Sequence, residues 1–175
     1  MRIAILTLFA IAAFAATPEE LQNAARADDV VKIRALLDAG ADINAPTDKG
    51  FSPLILACYA GSEAAVEELL RRGARVGDSD WTGSNALMAA SFKGHKGIVL
   101  KLLAKGARVN DTNKIGATAL MFASLTGKSD VVDLLLEKGA DLRRRDQRGY
   151  DAIQLAEAQG NQPLVDRLIA KLHGR

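Results

Sequence analysis

The chain has a single cysteine, two histidines and few large rings, with aromatic residues at 5% of 175 positions. One cysteine, Cys58, excludes an internal disulfide, so stability must come from packing. His95 and His173 stand far apart, which leaves no cysteine and histidine cluster for a transition metal and no nucleophile-and-base motif of the serine or cysteine hydrolases. A phosphate-cradling loop is missing as well, because GSEAAVEELL lacks the lysine and hydroxyl pair. No strong charge of one sign is present: 23 Lys and Arg face 21 Asp and Glu, a net charge of +2, which is weak support for a polyanionic partner. The remaining composition, 49% apolar and 25% charged, is that of a soluble globular domain whose core is built from alanine and leucine.

One apolar run stands apart, in MRIAILTLFAIAAFAATPEE at the amino terminus. Arg2 precedes an apolar stretch from Ile3 to Phe14, and Ala13-Phe14-Ala15 puts small residues where a signal peptidase inspects the chain. The stretch is short of the roughly 20 residues that cross a bilayer. It predicts a signal peptide over residues 1–15, cut after Ala15 or Ala16, and a mature chain of residues 16–175 without stable membrane insertion. With no disulfide in an exported chain, the bacterial periplasm is the expected location. A retained anchor is the alternative.

The rest of the sequence repeats. Leu36-Leu37, Leu69-Leu70, Leu102-Leu103 and Leu135-Leu136 are 33 apart, and so are Gly40, Gly73, Gly106 and Gly139, and again Gly50, Gly83, Gly116 and Gly149. A fixed period of this size marks units that cannot bury their own apolar faces and must stack. Each unit opens on a residue whose side-chain oxygen can cap a helix, namely Ser52, Asn85, Thr118 or Asp151. An alanine-rich helix follows, as in LILACYA, with Cys58 at a small buried position, and then a break at Gly61, Gly94, Gly127 or Gly160. A second helix carries Val66, Leu69 and Leu70, or their counterparts, along one face. Polar segments such as GARVNDTNKIG then form fingers that reverse into the next unit, and Asp38, Asp42, Asp78, Asp111, Asp141 and Asp146 read as turn formers bonding local amides.

At the ends, Thr17, Pro18 and Glu20 predict a capping box, with Asp28-Asp29 replacing the glycine break of the first unit. Leu164, Val165, Leu168, Ile169 and Leu172 predict the apolar face of a closing helix.

These markers resemble the ankyrin-repeat family. The openings FSPLI, SNALM, ATALM and YDAIQ stand where that family has T-P-L-H, and GARVN and GADLR stand where it has G-A-D-V-N. The opening histidine is absent throughout, and only His95 keeps the histidine after glycine. The resemblance implies an all-α solenoid of about five helix-turn-helix units with projecting hairpin fingers, over residues 17–50, 51–83, 84–116, 117–149 and 150–175. It also implies a non-catalytic role in binding protein, with no cofactor and no metal. An acidic calcium site between fingers is the minor alternative.

Positions that vary between copies carry the functional expectation. Phe51, Tyr59, Trp81, Phe92, Lys114, Leu125, Arg148 and Tyr150 fall at registers that, by the resemblance, line the concave partner-binding surface. Aromatic anchors of this kind dominate protein interfaces, although Phe92 and Leu125 would also serve to cover a neighbouring helix. Arg143, Arg144 and Arg145 make a basic tip on the last finger alone, whereas a nucleic-acid binder would show a stripe across several fingers. The chain is similar to small exported bacterial ankyrin proteins, which implies a module that holds, modulates or protects a partner protein. An immunity or inhibitor protein against a toxin or enzyme is one alternative, and a hydrolytic or metal-dependent enzyme is the other.

Overall fold

The computed structural model describes residues 17–174, so the expected export signal lies outside the described residues. Among the described residues, ten helices pair in chain order: α1 (Pro18–Arg26) with α2 (Val30–Asp38), α3 (Pro53–Ala60) with α4 (Glu63–Arg71), and α5 (Ala86–Lys93) with α6 (Lys96–Ala104). Then come α7 (Ala119–Leu125) with α8 (Ser129–Glu137) and α9 (Ala152–Glu157) with α10 (Gln162–Leu172). Odd-numbered helices pack in one row, α1 on α3 through to α7 on α9, and α2, α4, α6 and α8 pack in a second. The fold is an all-α solenoid of helix-turn-helix units.

Alanine sets the spacing of the rows. Ala24, Ala57, Ala90, Ala123 and Ala156 occupy one register, one per unit, and all are buried. Their small side chains let the odd helices approach more closely than the even ones, whose facing residues are Ile33, Val66, Leu69, Ile98, Leu102, Val131 and Leu135. Each buried leucine or isoleucine contributes roughly 1.5–3 kcal/mol, and nearly all of that burial comes from contact with the partner helix or the next unit.

Local chemistry starts and stops the helices as the sequence predicts. Ser52, Asn85, Thr118 and Asp151 cap α3, α5, α7 and α9 by accepting an amide hydrogen from the third helical residue. Thr17 and Glu20 form the reciprocal capping box. Asp28 takes the place of the break glycine with φ 57°, and its carboxylate accepts the Ala65 amide at 2.6 Å, tying the first unit to the second. Cys58 is fully buried, and burial pushes its thiol well above the ordinary range.

The fingers are built on one repeated turn. Thr47, Asp80, Asn113 and Asp146 begin four-residue turns that end at Gly50, Gly83, Gly116 and Gly149, each glycine amide donating back to the first carbonyl. The side-chain oxygen of Asp80, Asn113 or Asp146 accepts the amides two and four residues on, which fixes the loop from inside. Adjacent fingers are joined by backbone bonds, Trp81 N–H to the Lys49 carbonyl, Lys114 to Thr82 and Gln147 to Ile115. Glycine makes this approach possible: a Cβ on Gly83 would sit 2.9 Å from the Lys114 nitrogen.

Two sequence expectations are corrected. Asp42, Asp141 and Asp146 bond local amides, but Asp38, Asp78 and Asp111 instead pair with Arg72, Arg75 and Arg108. A charged guanidinium N–H is a stronger donor to a carboxylate than the neutral amide of a turn. Ile169 is exposed, because α10 packs on α9 and turns only Leu164, Val165 and Leu168 fully inward.

The outer helices α2 and α4 carry a cluster between them that the repeat pattern gave no reason to expect. The Glu68 carboxylate is buried and takes hydrogen bonds from Arg71, Arg34 and Arg72, with Asp38 on the far side of Arg72. These guanidinium groups, Arg71 foremost, outweigh the effect of burial and hold the carboxyl well below the usual range. A carboxyl whose folded pKa is depressed stabilises the fold above its unfolded pKa of about 4.3, and that contribution is lost as pH falls through the folded value.

Glu68→Gln is therefore expected to lower unfolding free energy by about 1–2 kcal/mol at neutral pH, the three arginines being free to rehydrate. Urea titrations across pH should show the gap from wild type closing in acid; a gap independent of pH would contradict the assignment. Gly83→Ala is expected to cost clearly more than Gly73→Ala. Both have positive φ, worth about 1–2 kcal/mol of strain to alanine, but only Gly83 also faces backbone. Equal midpoints in the same titration would contradict the finger-packing argument.

Candidate functional site

The sequence repeat places one residue at the same point at the carboxyl end of each inner helix: Arg26, Tyr59, Phe92 and Leu125 within the helix and Ala158 just past it. With small alanines behind them, the odd helices lie close enough for these side chains to meet. The Tyr59 and Phe92 rings stack with centroids 6.4 Å apart and planes 13° from parallel. Phe122, one turn earlier on α7, meets Phe92 edge-on at 6.2 Å. Such pairs contribute about 0.5–1.5 kcal/mol beyond burial, so the cluster is held in place before any partner arrives.

The cluster borders a hollow of about 280 Å³ between the inner helices and the finger bases. Phe51, Ile55, Met88, Ala89 and Phe122 give it an apolar lining, and Asp80, Ser84 and Asn85 form its finger side. The polar members are already committed, since Asp80 holds the Thr82 and Ser84 amides and Asn85 caps α5. A second hollow of about 650 Å³ lies on the other side of Phe51 and Tyr59, where Arg26, Asp48 and Lys49 join them. Lys93 lies over the Tyr59 ring at 4.8 Å.

The eight residues expected at the concave face are not one patch. Phe51, Tyr59 and Phe92 come together on the hollow. Trp81 is 63% exposed on the second finger tip, and Lys114 is exposed on the third, its amide bonded to Thr82. Leu125 packs against a small cluster of Ala117 and Met121 with Leu155 of the neighbouring α9, which is the covering role the sequence also allowed. Tyr150 is exposed, with the Arg148 guanidinium 5.3 Å above its ring.

The arginine tip is less free than its sequence suggests. Arg148 pairs with the buried carboxylate of Asp146 at 2.8 Å, and Arg145 reaches Asp151 at 3.0 Å while bonding the Gly149 carbonyl. Burial opposes the charge on Asp146, yet the hydrogen bonds of Arg148 and of the Tyr150 and Arg148 amides hold its pKa below the ordinary value. Arg143 and Arg144 are exposed, Arg144 loosely facing Asp141 at 3.9 Å.

Phe122, Arg26 and Lys93 were missed in the sequence. Arg26 was within reach of it, because it occupies the Tyr59 register one unit earlier. Phe122 had no such signal, since its counterparts are Leu56, Ala89 and Leu155. Among the described residues, no group of three or more histidine, cysteine, aspartate or glutamate residues is placed to hold a metal ion, and no helix is long and apolar enough to cross a membrane.

Comparison with known families matches the chain to ankyrin repeats (3 copies), over residues 21–113 and again over 87–174. No curated protein matches the chain. Together the two matched stretches span nearly all of the described residues and coincide with the helix pairs and fingers above. The chain belongs to the ankyrin-repeat family, a non-catalytic scaffold for protein interaction.

Proposed function

We propose that this chain is a binding module of the bacterial periplasm that holds, modulates or protects one partner protein, which it grips around Tyr59 and Phe92. The observation that carries this reading is the ring stack, half-exposed at Tyr59 and set at the mouth of an apolar hollow. Exposed rings pre-organised over a concave apolar floor are what interface hot spots consist of. The partner is a protein rather than a nucleic acid, because the arginine tip is confined to one finger and half of it is internally paired. Export rests on Arg2, the apolar stretch from Ile3 to Phe14 and the small residues before Thr17. Inhibition of, or immunity to, a toxin or enzyme would use the same face in the same way.

Two experiments test this. Fractionation of bacteria expressing the full chain with a carboxyl-terminal tag should recover it in the periplasm, with a mass beginning at Ala16 or Thr17; recovery from cytoplasm or membrane at full mass would overturn the location. The tagged chain should also retain an envelope protein that Tyr59→Ala/Phe92→Ala loses, and retention by both would move the site off this face. The comparison is sound only if the variants fold. Tyr59→Ala should cost about 1–2 kcal/mol, because the ring is half exposed but loses its stack on Phe92, and Leu125→Ala about 2 kcal/mol, by thermal unfolding.

A further inference from the structure

The hollow around Tyr59 has a charge as well as a shape. Arg26 and Lys49 line its outer side and Lys93 stands over the ring, two cations of the first unit and one of the third gathered at a side chain of the second. Among the described residues none of the three is paired with a carboxylate. That separates them from Arg34, Arg71 and Arg72, which converge on Glu68, from Lys101, which faces Glu63 and Glu67, and from Arg167, which faces Asp133. Lys32, Lys96, Lys105, Lys128, Lys138 and Lys171, on the outer helices or at their ends, also lack an ion pair among the described residues, but only Arg26, Lys49 and Lys93 stand beside the aromatic cluster and its hollows.

The carboxylates nearby do not cancel this. Asp48 lines the same hollow and offsets one charge. Asp80 lines the neighbouring hollow, but its carboxylate is taken up by the Thr82 hydroxyl and two turn amides. Lys114, also without an ion pair among the described residues, extends the positive character along the third finger beside the exposed Trp81 and Ile115. The result is an apolar cleft with a cationic rim, although the whole chain is close to neutral at +2.

We infer that the occupant of this cleft is an acidic protein segment carrying an aromatic or large aliphatic anchor, the anchor entering between Phe51, Tyr59 and Phe92 and its flanking carboxylates facing Arg26, Lys49 and Lys93. This deepens the reading of the concave face given above and rests on it. Like-charged partners are rejected at such a rim and oppositely charged ones are steered to it, so the rim sets specificity and the rings hold the complex. An anchor without the carboxylates would leave three cations crowded and partly desolvated, and carboxylates without an anchor would form only exposed pairs of little strength. Both parts of the segment are needed.

The test uses the full chain and an array of short synthetic peptides, each with a central Phe, Tyr, Leu or Ser flanked by Glu, by Lys or by Ser. Wild type is expected to bind the Glu-flanked Phe, Tyr and Leu peptides, more weakly as salt is raised. Lys49→Glu/Lys93→Glu should weaken that binding about tenfold or more while leaving the melting temperature unchanged, since both side chains are exposed. Tyr59→Ala/Phe92→Ala should abolish it. Equal binding of Lys-flanked or Ser-flanked peptides would overturn the charge assignment, and binding of no peptide would overturn the inference altogether. The underlying reading is judged separately: an envelope protein lost by the Tyr59→Ala/Phe92→Ala variant and kept by the charge-reversed one would leave concave-face binding standing and remove only the acidic partner.

Discussion

Everything in this chain depends on the fact that no unit can hide its own apolar face. A pair of short helices has too little interior to be stable alone, so Leu69, Leu102 and Leu135 become buried only when the next pair covers them. Stacking therefore fixes the features that must recur each time. These are the alanine that lets inner helices approach, the polar cap that starts a helix, and the glycine that lets one finger hydrogen-bond the next. Since these are spent on the neighbour above or below, the only positions free to differ are those that point out of the stack.

That division turns the repeat into a binding surface. The register of Arg26, Tyr59, Phe92, Leu125 and Ala158 changes chemistry at every unit while its backbone setting stays constant. Arginine, tyrosine and phenylalanine follow one another along one wall, with Lys49 and Lys93 beside them, and the far end declines to leucine and alanine. The surface is thus graded, aromatic and cationic toward the amino-terminal units and plain toward the last helices. Being assembled from separate units, it is held in shape by the whole stack, so little ordering remains to be done on binding.

The period made the fold legible. Gly83 and Gly116 could be placed at finger turns, and Ser52 and Thr118 at helix starts, because each does a local job that only a few residue types can do. The candidate site was legible only where the register itself sufficed: Phe51, Tyr59 and Phe92 meet, and Trp81 stands exposed on its finger. Counting along the chain could not show that Leu125 would turn against Leu155, which follows from packing between helices. Nor could it show that Arg148 would be held by Asp146, because the turn that folds the guanidinium back on the buried carboxylate is not a feature of the register. The same limit hid Glu68, whose partners Arg34 and Arg72 come from two different units and whose burial the helical pattern alone would have denied.

The most direct test of a partner seated on the inner face is site-specific photo-crosslinking in cells. A photoreactive phenylalanine analogue would replace Tyr59 on the inner wall or Leu100, which is exposed on the outer helix α6. The account predicts one discrete protein adduct from position 59 and none from position 100. An adduct from position 100 with none from 59 would contradict it.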